Sequence, residues 1–229
     1  MKKIVILSGA GMSAESGILT FRDMGGLWDK YRIEEVASPI AWRNDPQLVL
    51  DFYNTRRKQL LEVEPNSAHY DLVKLEKHFD VEIVTQNVDD LHERAGSSNV
   101  LHLHGELRKV RSELNEYLVS EFDGWELKLG DLASDGNQLR PHIVWFGEAV
   151  PMINQAVEIV QTADILIIIG TSLAVYPAAG LRHEAPSHCK VYYIDPNAGE
   201  MSLPNVVCMA EKASVATKEL VQNLINEMQ

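Results

Sequence analysis

The most constraining feature of this sequence is an apolar segment, residues 4–7, that is followed at once by a glycine loop. The loop matches the G-x-G-x-x-G/A pattern that joins the first strand of a dinucleotide-binding fold to a helix. Its glycines permit a tight turn and close backbone approach, and the start of the helix offers N–H groups to a pyrophosphate. A glycine turn that binds no ligand is the alternative. The loop consists of Gly9, Ala10, Gly11, Met12, Ser13 and Ala14.

Apolar runs typical of buried strands recur along the chain, at residues 4–7, 81–84, 100–103, 165–169 and 191–194. They are rich in β-branched side chains and nearly continuous, as expected of strands covered on both faces. Helical patterns lie between them, at residues 46–61, 67–78, 153–162 and 214–228, and Ser67 is an N-cap candidate. This alternation predicts an α/β fold with a Rossmann-like parallel sheet.

Two segments, at about residues 22–77 and 107–139, do not fit the alternation. The first holds extra helices, and the second is polar, acidic and rich in Gly, Asp and Ser. We expect both to be insertions that form a smaller lobe. The larger lobe would then comprise about residues 1–21, 78–106 and 140–229 of one domain, a size that a 229-residue chain allows.

The charge and composition narrow the partners and the compartment. With 21 basic and 33 acidic residues, the formal net charge is −12, which disfavours nucleic acid as a partner. No apolar run approaches the roughly 20 residues of a membrane helix. The apolar start is shorter than the roughly 7–15-residue apolar region (h-region) of a signal peptide, so we expect a cytoplasmic protein. Two cysteines, Cys189 and Cys208, imply no disulfide framework.

Polar side chains follow two of the predicted strands, and they are candidates for chemistry. An imidazole such as that of His104 has an ordinary pKa near 6.5 and can accept a hydroxyl proton near neutral pH. The alternatives are a structural histidine or a metal pair with His102, although no third ligand is evident. Gln86, Asn87 and Asp89 can offer donors and acceptors to a ligand, or they can serve a turn and a helix cap.

Seven motifs, in this order, resemble those of the sirtuin family, and the resemblance covers nearly the whole chain. They are GAGMSAESGI at 9–18, TFR at 20–22, GGLW at 25–28, TQNVD at 85–89, HLHG at 102–105, VWFGE at 144–148 and GTS at 170–172. The resemblance implies that NAD and an acyl-lysine protein meet in a cleft between two lobes. It implies that the acyl oxygen attacks the nicotinamide ribose and that nicotinamide leaves. The products are then deacylated lysine and O-acyl-ADP-ribose.

The resemblance also implies roles for individual residues. His104 acts as the general base, assisted by Asn87 at the catalytic centre, while Asn87 and Asp89 line the nicotinamide pocket. Phe21 shields the reactive ribose carbon from water, and Ala213 lies near the adenine. The implied NAD-binding set is Gly9, Ala10, Gly11, Ser13, Glu15, Thr20, Phe21, Arg22, Trp28, Gln86, Asn87, Asp89, Gly170, Thr171, Ser172, Asp195, Asn197 and Ala213.

Selectivity for the acyl group is expected from Tyr53 and Arg56, which are three positions apart on a predicted helix and so share a face. The pair resembles the Tyr-x-x-Arg pair of sirtuins that prefer succinyl-, malonyl- and glutaryl-lysine. Arginine can hold a carboxylate through two parallel hydrogen bonds. A solvated basic helix face is the alternative. The resemblance further implies that Val144, Phe146, Gly147 and Glu148 form an extended segment that pairs with the substrate backbone.

One departure from the family concerns zinc. Most sirtuins carry two Cys-x-x-Cys pairs in the second insertion, whereas residues 107–140 here contain neither cysteine nor histidine. A zinc site with nitrogen and sulfur ligands cannot be built from such a segment, so we expect no structural zinc and no other metal. Packing must order the segment instead. The candidates for that packing are Leu118, Phe122, Trp125, Leu127, Leu129 and Leu132.

Three functions remain open from the sequence. A lysine deacylase is favoured because the chain has Tyr53, Arg56 and the substrate-pairing segment. An NAD glycohydrolase or ADP-ribosyltransferase would need only the NAD loop and His104. A non-enzymatic NAD or ADP-ribose sensor would be expected to lack Asn87, Asp89 or His104, and all three are present. The oligomeric state is not determined by the sequence, and a monomer is favoured.

Overall fold

The computed structural model describes residues 1–18, 31–200 and 205–227. Its strands, in chain order, are β1 Lys3–Ser8, β2 Asp80–Thr85, β3 Val100–His102, β4 Gly105–Ser112, β5 Val119–Glu121, β6 Leu139–Ile143, β7 Ile165–Ile169, β8 Lys190–Ile194 and β9 Val206–Met209. Six of them form a parallel sheet in the order β3-β2-β1-β7-β8-β9. The predicted α/β fold with a Rossmann-like sheet is therefore confirmed. Strand β9 was not among the predicted strands.

The helices are α1 Gly11–Ala14, α2 Ile33–Val36, α3 Pro39–Asn44, α4 Pro46–Glu62, α5 Ser67–Leu75, α6 Leu91–Ala95, α7 Ile153–Val160 and α8 Ala213–Asn226. Helix α4 begins where Asp45 accepts from the N–H of Leu48. The prediction that Ser67 is the N-cap of α5 is wrong, because Ser67 is the first residue of the helix. The side chain of Asn66 caps α5 by accepting from the N–H of Ala68 at 3.0 Å. None of the described helices is long and apolar enough to span a membrane.

The parallel sheet is covered on both faces, which explains the unbroken apolar runs of its strands. In β1, Ile4 and Ile6 point into a core with α5 and α8, while Val5 and Leu7 point into a core with α7. A third core packs α3 and α4 against the second sheet. Members of that third core include Trp42, Phe52, Tyr53, Leu127 and Trp145.

The second sheet is antiparallel, in the order β5-β4-β6. Its strands draw on residues 105–143, so the sheet extends beyond residues 107–139 on both sides. The prediction that residues 144–148 are extended is wrong. The chain leaves β6 at Ile143 and makes a turn at Phe146 and Gly147, where Gly147 has a φ of 92°.

Residues predicted to pack the second insertion divide into two groups. Leu127 is fully buried, Phe122 packs against the same core, and Leu118 is half-buried. Trp125, Leu129 and Leu132 are exposed instead, at 39%, 47% and 58%, so they do not form the packing predicted for them. Buried polar contacts from α4 add to the apolar packing of this segment.

Candidate active site

Two glycine loops meet at the centre of the sheet, where the strand order reverses between β1 and β7. Gly11 donates from its N–H to the carbonyl of Gly170 at 2.8 Å. A Cβ atom on Gly9 would lie 2.7 Å from that carbonyl oxygen, and one on Gly11 would lie 2.8 Å from the Cα of Gly170. Only glycine permits this approach. Open α/β sheets bind ligands in the crevice outside the carboxyl ends of their strands at such a reversal.

A buried polar chain lines this crevice beside the first glycine loop. The Ser13 hydroxyl donates to Asp89 Oδ2 at 2.9 Å and accepts from Asn87 Nδ2 at 3.0 Å. Burial raises the pKa of Asp89, and the hydrogen bond from Ser13 partly offsets that rise. No hydrogen bond to the side-chain oxygen of Asn87 occurs within the described part of the chain. That oxygen suits the NH2 group of a carboxamide, so the donors and acceptors here fit the nicotinamide end of NAD.

His104 lies between β3 and β4, with its ring facing the β2–α6 loop. Because its Nδ1 lies 3.1 Å from the carbonyl oxygen of Gln86, Nδ1 carries the proton and Nε2 is left as an acceptor. Burial lowers the pKa of His104, and the bond to Gln86 partly offsets the fall. The ring is therefore neutral at pH 7. A neutral imidazole with a bare Nε2 can take a proton from a hydroxyl group.

His102 makes a parallel contact one residue further along the same loop. Its Nδ1 lies 3.0 Å from the carbonyl oxygen of Asn87, and its Nε2 lies 2.7 Å from Glu93 Oε1. Burial acts to lower the pKa of His102, but the hydrogen bond and charge of Glu93 outweigh it and raise that pKa. His102 therefore belongs to a structural ion pair that holds the backbone of Asn87.

One group of three side chains among the described residues could approach a metal ion. Ligand atoms of Glu93, His102 and Glu106 lie within 4.8 Å of one another. His104 is not part of this group, so the suggested His102–His104 metal pair gains no support. The group is also neutralised by the protein itself, because Glu93 bonds to His102 and Lys109 Nζ lies 2.7 Å from Glu106 Oε2.

Tyr53 and Arg56 lie next to each other on α4, one helical turn apart. Tyr53 is 1% exposed, and burial raises its pKa to about 12, with the charge of Arg56 opposing the rise. The guanidinium carbon of Arg56 lies 5.8 Å from the centroid of the Tyr53 ring. Burial lowers the pKa of Arg56, while the neighbouring Tyr53 and Asp89 oppose the fall. A uniformly solvated basic face is therefore not what α4 presents here.

Several N–H groups of the turn that follows β6 already donate hydrogen bonds within the protein. The N–H groups of Val144 and Phe146 donate to the carbonyls of His104 and Ala37. The carboxylate of Glu148 accepts from the N–H of Trp145 at 2.8 Å and from Arg140. A docked peptide cannot use those two N–H groups without displacing existing bonds.

The remaining predicted NAD ligands lie at several places around the crevice. Thr171 Oγ1 accepts from Gln86 Nε2 at 3.1 Å, which ties the two loops together. Asp195 Oδ1 accepts from the N–H of Asn197. Glu15 caps α8 by accepting from both the N–H and the hydroxyl of Ser214. Ala10 and Ser172 lie on the two central loops, and Ala213 is buried at the start of α8. Thr20, Phe21, Arg22 and Trp28 lie outside the described residues.

Sequence reasoning missed two contacts of this site. Trp145 donates from Nε1 to the hydroxyl of Tyr53, although Trp145 had been noted only as part of a motif. Glu93 was not noted at all. A carboxylate nine positions before a histidine carries no recognisable spacing, so only the fold reveals that pair.

The parallel sheet, its glycine loops and the polar residues at its strand ends define a dinucleotide-binding α/β protein. The sequence pattern of the Sir2 family matches residues 9–177. A protein from Helicobacter pylori, named NAD-dependent protein deacylase, is 60% identical over 226 residues, covering 98% of this chain and 98% of that protein. One of the same name from Bacteroides thetaiotaomicron is 57% identical over 231 residues, covering 98% of this chain and 99% of that protein.

Solved structures agree with these relatives. A Sir2 homologue in complex with NAD is 39% identical, with a TM-score of 0.87, and the match covers 100% of this chain and 91% of that one. A Sir2 protein with a deacetylated p53 peptide and 3′-O-acetyl ADP-ribose is 29% identical, with a TM-score of 0.80, covering 96% and 92%. This chain belongs to the Sir2 family.

Proposed function

We propose that this chain removes succinyl and malonyl groups, and also acetyl groups, from protein lysines at the expense of NAD. The coarser activity follows from the family and its relatives: the chain is an NAD-dependent protein deacylase. In this proposal acyl-lysine, NAD and one water molecule react to give free lysine, nicotinamide and O-acyl-ADP-ribose. A solved relative that contains an O-acetyl ADP-ribose together with a deacetylated peptide supports that product.

The residues of the crevice divide the chemistry between them. NAD bound there would supply the ribose carbon that receives the acyl oxygen and the nicotinamide that leaves. Asn87, Asp89 and Ser13 would hold the carboxamide, because their hydrogen-bond chain leaves the oxygen of Asn87 available. Nε2 of His104 would accept the proton of a ribose hydroxyl, since Gln86 fixes the other ring nitrogen as the donor.

The observation that carries the acidic preference is the Tyr53–Arg56 pair. Tyr53 is buried and Arg56 is half-buried, which strengthens a charge–charge contact in the pocket. A succinyl or malonyl carboxylate would gain a cation and a phenol donor there, whereas the methyl group of an acetyl would gain neither. The neighbouring Arg57 cannot substitute, because its guanidinium is committed to backbone carbonyls of the second insertion.

The test compares one peptide carrying succinyl- or acetyl-lysine, with kcat/KM measured for each. Arg56→Met should lower desuccinylation about 10- to 100-fold, the contribution of a hydrogen bond to a charged group, and deacetylation far less. Arg43→Met makes the same change at an exposed arginine of α3 and should preserve the ratio. His104→Ala should abolish both activities. Equal loss of both activities in Arg56→Met would contradict the acidic preference. Free ADP-ribose without deacylated peptide would indicate a glycohydrolase.

Several features of the chain complete the proposal. The cleft would lie between a larger lobe of residues 1–21, 78–106 and 140–229 and a smaller lobe of 22–77 and 107–139. The pairing of β4 with β6 would move the boundaries of the second insertion outward, to residues 105 and 143. A cytoplasmic monomer that acts on acyl-lysine proteins, without nucleic acid or membrane as partner and without structural zinc, remains our expectation.

A further inference from the structure

Trp145 makes a buried polar contact that the assigned chemistry does not use. Its indole Nε1 lies 3.1 Å from the hydroxyl oxygen of Tyr53, and the two residues are 2% and 1% exposed. Indole nitrogen is a donor only, so the direction of this bond is certain: Trp145 donates and Tyr53 accepts. The contact joins α4 to the turn after β6, across 92 positions of sequence.

This direction determines what the Tyr53 hydroxyl can do. A phenol has one proton to donate, and an indole N–H facing its oxygen turns that proton away toward another acceptor. Within the described part of the chain, the Tyr53 hydroxyl makes no second hydrogen bond. Its proton is therefore available on the side of the oxygen away from Trp145.

We propose that Trp145 is a specificity-determining residue, which orients the Tyr53 hydroxyl as a donor toward the carboxylate of an acidic acyl group. The proposal rests on the acidic preference proposed above. Without the indole N–H, the hydroxyl is free to rotate, and part of its donor capacity is lost to other orientations. An acetyl group has no carboxylate to receive the bond, so Trp145 affects the two substrates differently.

Trp145 is itself held firmly, as such a role requires. The guanidinium carbon of Arg140 lies 3.3 Å from the centroid of its ring, and Arg140 in turn pairs with Glu148 at 2.8 Å. The carboxylate of Glu148 also accepts from the backbone N–H of Trp145. On its other side, the ring packs against Trp42, with centroids 5.8 Å apart. The indole N–H is thus aimed at Tyr53 before any substrate binds.

The test measures kcat/KM for one peptide carrying succinyl- or acetyl-lysine, and follows the ratio of the two values. Trp145→Phe should lower the succinyl-to-acetyl ratio about tenfold. Trp125→Phe is the matched control, since it makes the same substitution at a tryptophan of the second insertion that is 39% exposed. That variant should keep the wild-type ratio.

A double-mutant cycle separates orientation from packing. Tyr53→Phe removes the acceptor and keeps the ring, and it should lower the ratio at least as far as Trp145→Phe does. Adding Trp145→Phe to Tyr53→Phe should then change the ratio no further. Additive effects, or an unchanged ratio in Trp145→Phe, would overturn the role of Trp145 while leaving the Arg56 result intact. If Trp145→Phe does not fold, an unchanged ratio in Tyr53→Phe alone overturns it. A wild-type enzyme without any preference for succinyl-lysine overturns both proposals.

Discussion

Arg57 is the residue whose removal should most disturb the second insertion. It is fully buried on α4, and its guanidinium donates to the carbonyls of Leu107 and Trp125 at 2.7 and 2.8 Å, and to Asn54 at 2.9 Å. It also lies 4.9 Å from the centroid of the Phe122 ring. The two carbonyls belong to the start and the middle of the insertion. Arg57→Met keeps the bulk of the aliphatic side chain and removes every one of these donors.

The size of the effect is a difference between two opposing contributions. Hydrogen bonds from a charged donor contribute about 1.5–3 kcal/mol each, so three contribute about 5–9 kcal/mol. Burial lowers the pKa of Arg57 to about 10, a cost of about 3 kcal/mol that the methionine variant does not bear. We expect a net loss near 4 kcal/mol in the free energy of unfolding. For a chain of this length, the melting temperature should fall by about 8–16 °C.

The assay is urea and thermal unfolding of the variant beside Arg43→Met, which removes an exposed arginine by the same substitution. Arg57→Lys, which keeps the charge but not the planar fork, should lie between them. Hydrogen exchange should localise the damage to residues 107–127. An Arg57→Met protein within about 1 kcal/mol of the Arg43→Met control would refute the reasoning. Stoichiometric zinc in purified protein would also do so, because a metal would then anchor the segment.

Two further predictions concern the buried histidines. Burial lowers the pKa of His69 to about 4 and that of His92 well below its ordinary value, so the unfolded chain binds more protons as pH falls below 6.5. The contribution of His69 to stability should be full above pH 6.5, and about 3 kcal/mol of it should be lost by pH 4. Urea unfolding across that window should show a weaker pH dependence in His69→Gln, and a pH dependence identical to the wild type would contradict this prediction. His102→Leu removes the donor to the carbonyl of Asn87. We therefore expect KM for NAD to rise about tenfold and KM for the peptide to change much less, both measured from initial rates. His102→Asn should recover most of that rise, whereas equal increases in both constants would point to general unfolding instead.

The sequence predicts the parallel sheet well and the second sheet poorly, for a physical reason. Strands β1 and β7 are buried on both faces, so their β-branched runs are unbroken and easily recognised. Strand β5 is exposed at all three positions, and β4 changes register between Gly105 and Val110. Neither strand has a regular alternation that could distinguish it from a polar loop. Strand β9 has two exposed residues among four, and it was missed for the same reason.

In the candidate site, too, the positions of the residues could be predicted from the sequence but their contacts could not. The carboxyl ends of parallel strands lie at one edge of a sheet, so polar residues such as His104 and Asn87 could be placed there before the fold was known. Their hydrogen-bond partners could not be predicted in this way. The bond of Trp145 to Tyr53 depends on the third core, which packs α4 against the second sheet. Interactions of that kind are set by tertiary packing and leave no local pattern.

The electrostatics of the cleft give the acidic preference a physical basis beyond the single pair. Burial lowers the pKa of Arg56 and raises that of Asp89, so it disfavours the charged form of each side chain. The negative charge of Asp89 partly stabilises the guanidinium, but Asp89 also accepts from Ser13 and from the N–H of Leu91. Because the carboxylate of Asp89 has these other partners as well, the charged form of Arg56 is further stabilised by a second anion close by. In the proposed reaction, a carboxylate on the acyl group would supply that anion only while substrate is bound, so the gain would be realised in the complex and would favour the binding of acidic acyl groups.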